Sequence, residues 1–173
     1  LVAIKEYLPT DLATRDSHGK VVPLTEDYRD DFTWGLQRFI TEAQILSRFE
    51  HPNIVGVLSV YEMHGTAYMI MRYEDGSSLA KILEGAATLD ERWLKNMVLP
   101  IIDGLSPVHR AGFIHRDIKP GNIYIRKDQS PVLIDFGSAR RTEGIATRTL
   151  TTLVSPGYAP FEQYYARSDK QGR

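Results

Sequence analysis

The sequence predicts an α+β protein in two lobes, strands with one helix first and mostly helix afterwards. Two observations carry that reading. Before Glu74, short apolar runs of strand type surround one stretch with helical periodicity. After it, the longest apolar pattern repeats at three- and four-residue steps. Asp75-Gly76-Ser77-Ser78 is a small polar hinge between them, so the boundary lies near Glu74–Ser77.

The elements follow in order. Leu1–Tyr7 is an apolar run fit for a strand, and the stretch from Pro9 to Asp31 is mixed and polar. His18-Gly19-Lys20 reads as a turn before a short strand at Val21-Val22. From about Thr33, Leu36, Phe39, Ile40, Ala43, Leu46 and Phe49 make one apolar helical stripe. His51-Pro52-Asn53 ends it, because a residue before proline leaves the helical region. Ile54–Tyr61 and Ala67–Tyr73 read as strands around a His64-Gly65 turn.

In the second half, Leu79–Leu83 is a short helix. Asp90 caps a longer one through Trp93, Leu94, Met97, Val98, Ile101, Ile102, Leu105 and Val108. Pro100 should kink that helix and Gly112 should end it. Ile123–Ile125 and Val132–Ile134 are short strands joined by a polar turn. Arg140 to Ser155 is polar and threonine-rich, a long loop of a length that is unusual unless functional or disordered.

Composition narrows the function. The chain has 173 residues, 42% of them hydrophobic and 25% charged, which is globular usage rather than disorder. With no cysteine, disulfides, thiolate metal sites and cysteine nucleophiles are excluded. Lys and Arg number 21 against 22 acids, which gives no electrostatic case for nucleic acid or a membrane surface. No apolar run approaches the roughly 18–20 residues of a membrane span. The chain starts at Leu1 and stops at Arg173 after a polar run, and both ends read as cut.

Two places concentrate chemistry. Glu42 lies on the apolar stripe, three residues after Phe39 and four before Leu46. It either pairs with a cation, for which Lys5 in the apolar run Val2-Ala3-Ile4-Lys5 is suited, or reaches out to the stripe's edge. The second place is His115-Arg116-Asp117-Ile118-Lys119-Pro120-Gly121-Asn122. A hairpin over 123–134 would set Asn122 beside Asp135, offering hard oxygen ligands suited to Mg²⁺. Asp117 lies near enough to act on a substrate hydroxyl, and Lys119 could stabilise a transferring phosphoryl group. The plain alternative is a turn rich in Asp and Asn for backbone capping. Five such residues at set spacing recur by chance on the order of once per million positions. Asp135-Phe136-Gly137 after an apolar strand makes chance rarer still.

On these motifs the chain resembles the bacterial, eukaryotic-type Ser/Thr protein kinases. The resemblance implies a two-lobed protein-kinase-like fold, with an N-lobe sheet plus one helix and a partial helical C-lobe. Residues 1–73 would be the N-lobe, 74–78 the hinge and 79–173 the C-lobe part, ending after the activation segment. It implies ATP as co-substrate, Mg²⁺ as cofactor and a protein substrate. Lys5 would contact the ATP phosphates and Glu42 would pair with it. Asp117 would be the catalytic base, with Lys119 and Asn122 beside it, and Asn122 and Asp135 would hold Mg²⁺. Met71 would close the back of the adenine pocket, and the backbone of Arg72 and Glu74 would bond adenine. Ala3 and Tyr124 would cover its faces. Leu46, Val57, His115 and Phe136 would stack as a hydrophobic column. Arg116 and Arg140 would bind a phosphate on Thr151 or Thr152. Ser155-Pro156-Gly157-Tyr158 resembles the loop that seats the acceptor residue.

The sequence departs from the family in four places. Ala159-Pro160-Phe161-Glu162 carries one residue inserted before the acid, and Tyr124 is bulkier than the usual leucine. No glycine-rich loop precedes Val2, and the helical bulk expected after Glu162 is missing. The chain is therefore expected to be an incomplete piece of a cytoplasmic kinase, which could be inactive alone, with any membrane anchor outside the segment. A small-molecule phosphotransferase of the aminoglycoside type is one rival, against which Lys119 and the 155–162 pattern speak. A pseudokinase acting as a binding module is another, against which the intact Lys5, Glu42, Asp117, Asn122 and Asp135 speak.

Overall fold

Strand alternation organises the first part of the chain. In the computed structural model, which describes residues 1–85, 90–136, the backbone of 140–141 and 155–159, the chain divides into two units, Leu1–Glu74 and Asp75–Arg173. In the first, β1 (Val2–Glu6), β5 (Thr66–Arg72) and β4 (Val57–Met63) form an antiparallel sheet in the order β1-β5-β4. Along β1, Val2 and Ile4 are exposed while Ala3 and Lys5 are half-buried, as a pleat requires. Helix α1 (Arg29–Leu46) packs on β4 and β5. It buries Phe32, Phe39, Ile40, Ala43 and Leu46.

Both ends of α1 differ from the sequence expectation. The helix begins four residues before Thr33, after a 3₁₀ turn at Glu26–Tyr28. Its first turn carries Asp30 and Asp31, which suit the positive end of the helix dipole but add nothing to an apolar stripe. It ends at Leu46, well before His51, so Phe49 lies outside it. The hydroxyl of Ser47 donates to the Gln44 carbonyl at 2.9 Å, the acceptor that the Arg48 N–H would otherwise take. Arg48 and Phe49 bond instead to Ile45 and Leu46, three residues back, and the helix closes in a tighter turn.

Two further strands stand where only Val21-Val22 was expected. Strands β2 (Ala13–Arg15) and β3 (Val21–Pro23) form a hairpin. Its turn is held by Asp16, whose Oδ1 accepts from the His18 and Lys20 N–H groups at 2.9 Å each. Gly19 there adopts φ 77°, which favours glycine. Only Ala13 and Val21 are buried, against Phe32, so the apolar signal was too sparse to read.

The second unit opens with β6 (Gly76–Ser78), in the segment expected to be hinge. With β8 (Ile123–Arg126) and β9 (Pro131–Leu133) it makes an antiparallel sheet ordered β6-β8-β9. Helix α2 (Leu79–Glu84) follows, capped by the Ser78 hydroxyl, which accepts from the Lys81 N–H at 3.3 Å. Helix α3 (Glu91–Arg110) has Asp90 at its N-cap, though the Asp90 side chain makes no capping bond. It continues through Pro100 and Pro107. It buries Met97, Ile101, Gly104, Leu105 and Val108, whereas Leu94, Val98 and Ile102, expected on the same face, are exposed. Gly112 follows with φ 78°. Strand β7 (Phe113–Ile114) pairs with β10 (Arg140–Arg141), so the stretch read as a loop from Arg140 begins in a strand. No helix among the described residues is long and apolar enough to cross a membrane.

Gly76 tests the packing of this sheet. A Cβ there would lie 2.1 Å from the Ile125 carbonyl oxygen, whereas one on Gly85 meets nothing nearer than 3.8 Å. Gly76→Ala should destabilise the protein by about 1–3 kcal/mol. Gly85→Ala should be neutral, or stabilising by up to about 1 kcal/mol. Urea unfolding of the two variants checks the contrast.

Candidate active site

The most concentrated chemistry lies on the segment between β7 and β8. Pro120–Asn122 forms a 3₁₀ turn, with proline at its start where a missing N–H does no harm. The Asn122 N–H closes the turn on the Lys119 carbonyl at 2.9 Å. That turn brings the Asn122 side chain back to Asp117, five residues earlier. The Asn122 amide nitrogen donates to both the Asp117 carbonyl (2.8 Å) and its carboxylate Oδ2 (2.9 Å).

Asp117 gathers three side chains. Besides Asn122, Lys119 Nζ lies 2.9 Å from Oδ2. Ser155 Oγ donates to Oδ1 at 2.6 Å. Lys119 also donates to Ser155 Oγ at 2.8 Å, which closes a triangle of Asp117, Lys119 and Ser155. Burial alone would raise the carboxyl pKa. The hydrogen bonds from Ser155, Lys119 and Asn122, with the Lys119 charge, outweigh it and hold the group below its ordinary 3.8. The sequence placed Ser155 only in the acceptor-seating loop. Its bond to the acid comes from residues 38 positions apart, which no local pattern reveals.

His115 supports this arrangement from beneath. It is 1% exposed, and its ring lies 4.3 Å from that of buried Phe136. The Asp117 N–H donates to Nδ1 at 3.3 Å, so the ring proton sits on Nε2, 3.3 Å from the Ile134 carbonyl. Leu46 and Val57, expected in the same hydrophobic column, are buried in the first unit.

The β8–β9 pairing brings Asn122 opposite Ile134, whose N–H donates to the Asn122 carbonyl at 2.8 Å, and Asp135 is the next residue. Arg116 and Asp135 adopt left-handed φ of 67° and 59°. Such backbone costs on the order of 1–3 kcal/mol in a non-glycine residue and clusters at functional sites. Because the Asn122 nitrogen is turned to Asp117, its amide oxygen faces away. That oxygen and the Asp135 carboxylate are hard donors of the type Mg²⁺ takes. Mg²⁺ keeps several waters and phosphate oxygens, so two protein ligands fit it. The described residues contain no cluster of three acids, histidines or cysteines that could form a metal cage.

The remaining predicted positions are spread over both units. Lys5 lies on β1 opposite Met69, and Glu42 is half-buried on α1. Ala3 and Val57 both pair with Met71 on β5. The Arg72 N–H is taken by the Gly56 carbonyl at 2.8 Å, so an adenine contact there would use the Arg72 carbonyl. Glu74 is the last residue of the first unit. Tyr124 is half-buried on β8, paired with Ser78 and Val132. Arg140 is placed by its backbone, opposite Ile114, and its side chain lies outside the described residues. Thr151, Thr152 and Glu162 lie outside them too.

Comparison with known proteins agrees with these motifs. The protein kinase domain family matches residues 15–170. A probable serine/threonine-protein kinase of Streptomyces coelicolor is 37% identical over 145 residues, 76% of this chain and 21% of its own length. Serine/threonine-protein kinase PknK of Mycobacterium tuberculosis is 35% identical over 125 residues, 71% of this chain and 11% of its own. A solved structure, PpkA-294 in its apo form, is 40% identical with a TM-score of 0.78, covering 94% of this chain and 58% of that one. The chain thus spans well under two thirds of the relatives it matches. With a match over nearly its whole length, and a likeness in structure as well as sequence, the chain belongs to the protein kinase domain family.

Proposed function

We propose that the protein is a serine/threonine kinase that transfers the γ-phosphoryl of ATP to a Ser or Thr hydroxyl of a protein substrate. The single observation that supports this best is the hydroxyl of Ser155. It sits within hydrogen-bond reach of both Asp117 and Lys119. An acceptor hydroxyl needs the same two contacts, one to orient it and one to neutralise charge on the phosphoryl group. The relatives described above are named as serine/threonine-protein kinases, which supports the same reading.

In the reaction, the acceptor oxygen bonds to the γ-phosphorus as the bond from phosphorus to the β–γ bridging oxygen breaks. ADP leaves with that electron pair, and the hydroxyl proton passes to Asp117. A carboxylate with a depressed pKa is a weak base. It therefore orients the hydroxyl and takes its proton late, which suits a loose, metaphosphate-like transition state. Lys119 faces the charge spread over the transferring group. Asn122 and Asp135 would hold Mg²⁺, which neutralises phosphate charge when bound. In the first unit, Lys5 grips the ATP phosphates and Glu42 pairs with it, while Ala3, Met71, Arg72 and Glu74 receive the adenine; Tyr124, on β8 of the second unit, is the further adenine-covering residue that the family resemblance implies. Arg116 and Arg140 would dock a phosphate on Thr151 or Thr152. The cytoplasm, where ATP is abundant, is the compartment that suits such a kinase.

Three outcomes check this. Asp117→Asn should lower phosphoryl transfer to a generic protein substrate at least about 10²-fold. Labelling that persists at the wild-type rate, or that appears on an aminoglycoside and not on protein, would sink the assignment. Chelating Mg²⁺ with EDTA should abolish transfer, and added Mg²⁺ should restore it. Ser155→Ala should cost about 1–2 kcal/mol of stability near neutral pH, since a bond to a charged acceptor is lost. The Asp117 pKa is depressed on folding, so this contribution is complete above the ordinary 3.8 and fades as pH falls through the lower folded value. Urea unfolding of wild type and variant should therefore differ at pH 7 and converge in strong acid.

A further inference from the structure

Tyr7 joins the strand that carries Lys5 to the helix that carries Glu42. It lies two residues beyond Lys5. Its N–H still bonds to the Ala67 carbonyl at 3.0 Å, so the strand ladder continues and both side chains leave the same face. From there the phenol reaches α1. Its Oη donates to the Phe32 carbonyl at 3.3 Å. Its ring lies 5.4 Å from that of Phe32 and 5.8 Å from that of Phe39. Between those two residues the helix comes so close that a Cβ on Gly35 would stand 2.1 Å from Tyr7 Oη and 3.0 Å from Cζ.

The spacing of these residues matters. Phe32, Gly35, Phe39 and Glu42 follow at steps of three, four and three, which makes one helix face. Glu42 stands on that face about 10 Å beyond Gly35. A glycine inside a helix weakens it relative to alanine, so one that admits a neighbouring side chain has a packing reason to be there. The β2–β3 hairpin closes over the same place, with Ala13 and Val21 on Phe32 and with Tyr7, Leu8 and Leu36 around them. Burial, and next the Asp31 charge, push the phenol pKa up to about 12, so the group stays a neutral donor.

We propose that Tyr7, seated against Gly35 and covered by the β2–β3 hairpin, is a positioning residue that sets helix α1, and with it Glu42, on the strand of Lys5. This rests on the kinase reading of Lys5 and Glu42. In that chemistry the lysine–glutamate pair must be in place for transfer, and the placement of the helix controls it.

The test is a double-mutant cycle in the full chain, read as kcat and KM for ATP. Gly35→Ala should lower kcat at least about tenfold with KM within about threefold, because the pair is lost in the transition state rather than in binding. Tyr7→Phe should cost kcat no more than about threefold. Together, the two changes should return kcat to within about threefold of Tyr7→Phe, because the 2.1 Å clash with the oxygen is gone and the 3.0 Å approach to Cζ needs only a small shift of the ring. Tyrosinate absorbance in base adds a signature: the Tyr7 phenol, which burial holds above its ordinary 10, should move back toward 10 in Gly35→Ala. An unchanged kcat in Gly35→Ala, or an equal loss with and without the Tyr7 oxygen, would overturn the proposal. If Gly35→Ala does not fold, Tyr7→Leu takes its place. A kcat for Tyr7→Leu at the Tyr7→Phe level then overturns the proposal, and a further tenfold loss supports it. Failure of the underlying reading looks different: Lys5→Met and Glu42→Gln would then leave transfer unchanged.

Discussion

A buried imidazole has to satisfy both ring nitrogens without water, and in the second unit His115 does so with backbone on either side. Nδ1 takes the Asp117 N–H, and Nε2 faces the Ile134 carbonyl. One ring therefore joins the segment that presents Asp117 to the strand end that leads into Asp135. Phe136 packs against the same ring and keeps it dry. An unsatisfied polar atom at this depth costs about 1–3 kcal/mol, so the ring tolerates little displacement. The Asp117–Lys119–Ser155 triangle and the Asn122 bridge are built on that base. A polar cluster of this kind is useful only when its members are held in one geometry.

The first unit solves a comparable problem with packing. Lys5 and Glu42 come from different elements, and their usefulness depends on how the helix sits on the sheet. Strand alternation sends Lys5 and Tyr7 to one face. Helical spacing sets Phe32, Gly35, Phe39 and Glu42 on another. The close approach of Tyr7 to Gly35 couples the two periodicities at one point. Neither the hydrophobic stripe nor the strand pattern by itself specifies that registration, since both tolerate sliding. The seat of Tyr7 on Gly35, too close to admit a Cβ, does not.

Much of this was legible in the chain. The alternation around Lys5, the stripe through Phe39, Ala43 and Leu46, and the dense run from His115 to Asn122 depend on local spacing, which sequence records directly. Each difference has a physical cause. The end of α1 was misread because a serine hydroxyl took a backbone carbonyl, and hydrophobic periodicity does not register that. The β2–β3 hairpin went partly unseen because it buries only two small side chains. Strand β10 stands where the sequence predicts loop, because its pairing with Phe113 and Ile114 is remote in sequence. On α3 the apolar pattern is broader than the face that is buried, so Leu94, Val98 and Ile102 were assigned to a core they do not join.

The sequence by itself determined the inventory: a cysteine-free, charge-balanced kinase-family chain whose acids, lysines and asparagine stand in a recognisable order. It did so because motif chemistry and periodicity are properties of near neighbours along the chain. Only the tertiary structure decided which of those groups act on one another. It brought Ser155 onto Asp117 and Lys119, turned the Asn122 amide toward the acid, and seated Tyr7 in the space left by Gly35. Those contacts join residues far apart in the chain. They exist only once folding has closed the loops between them, and no local spacing encodes where a remote side chain will arrive.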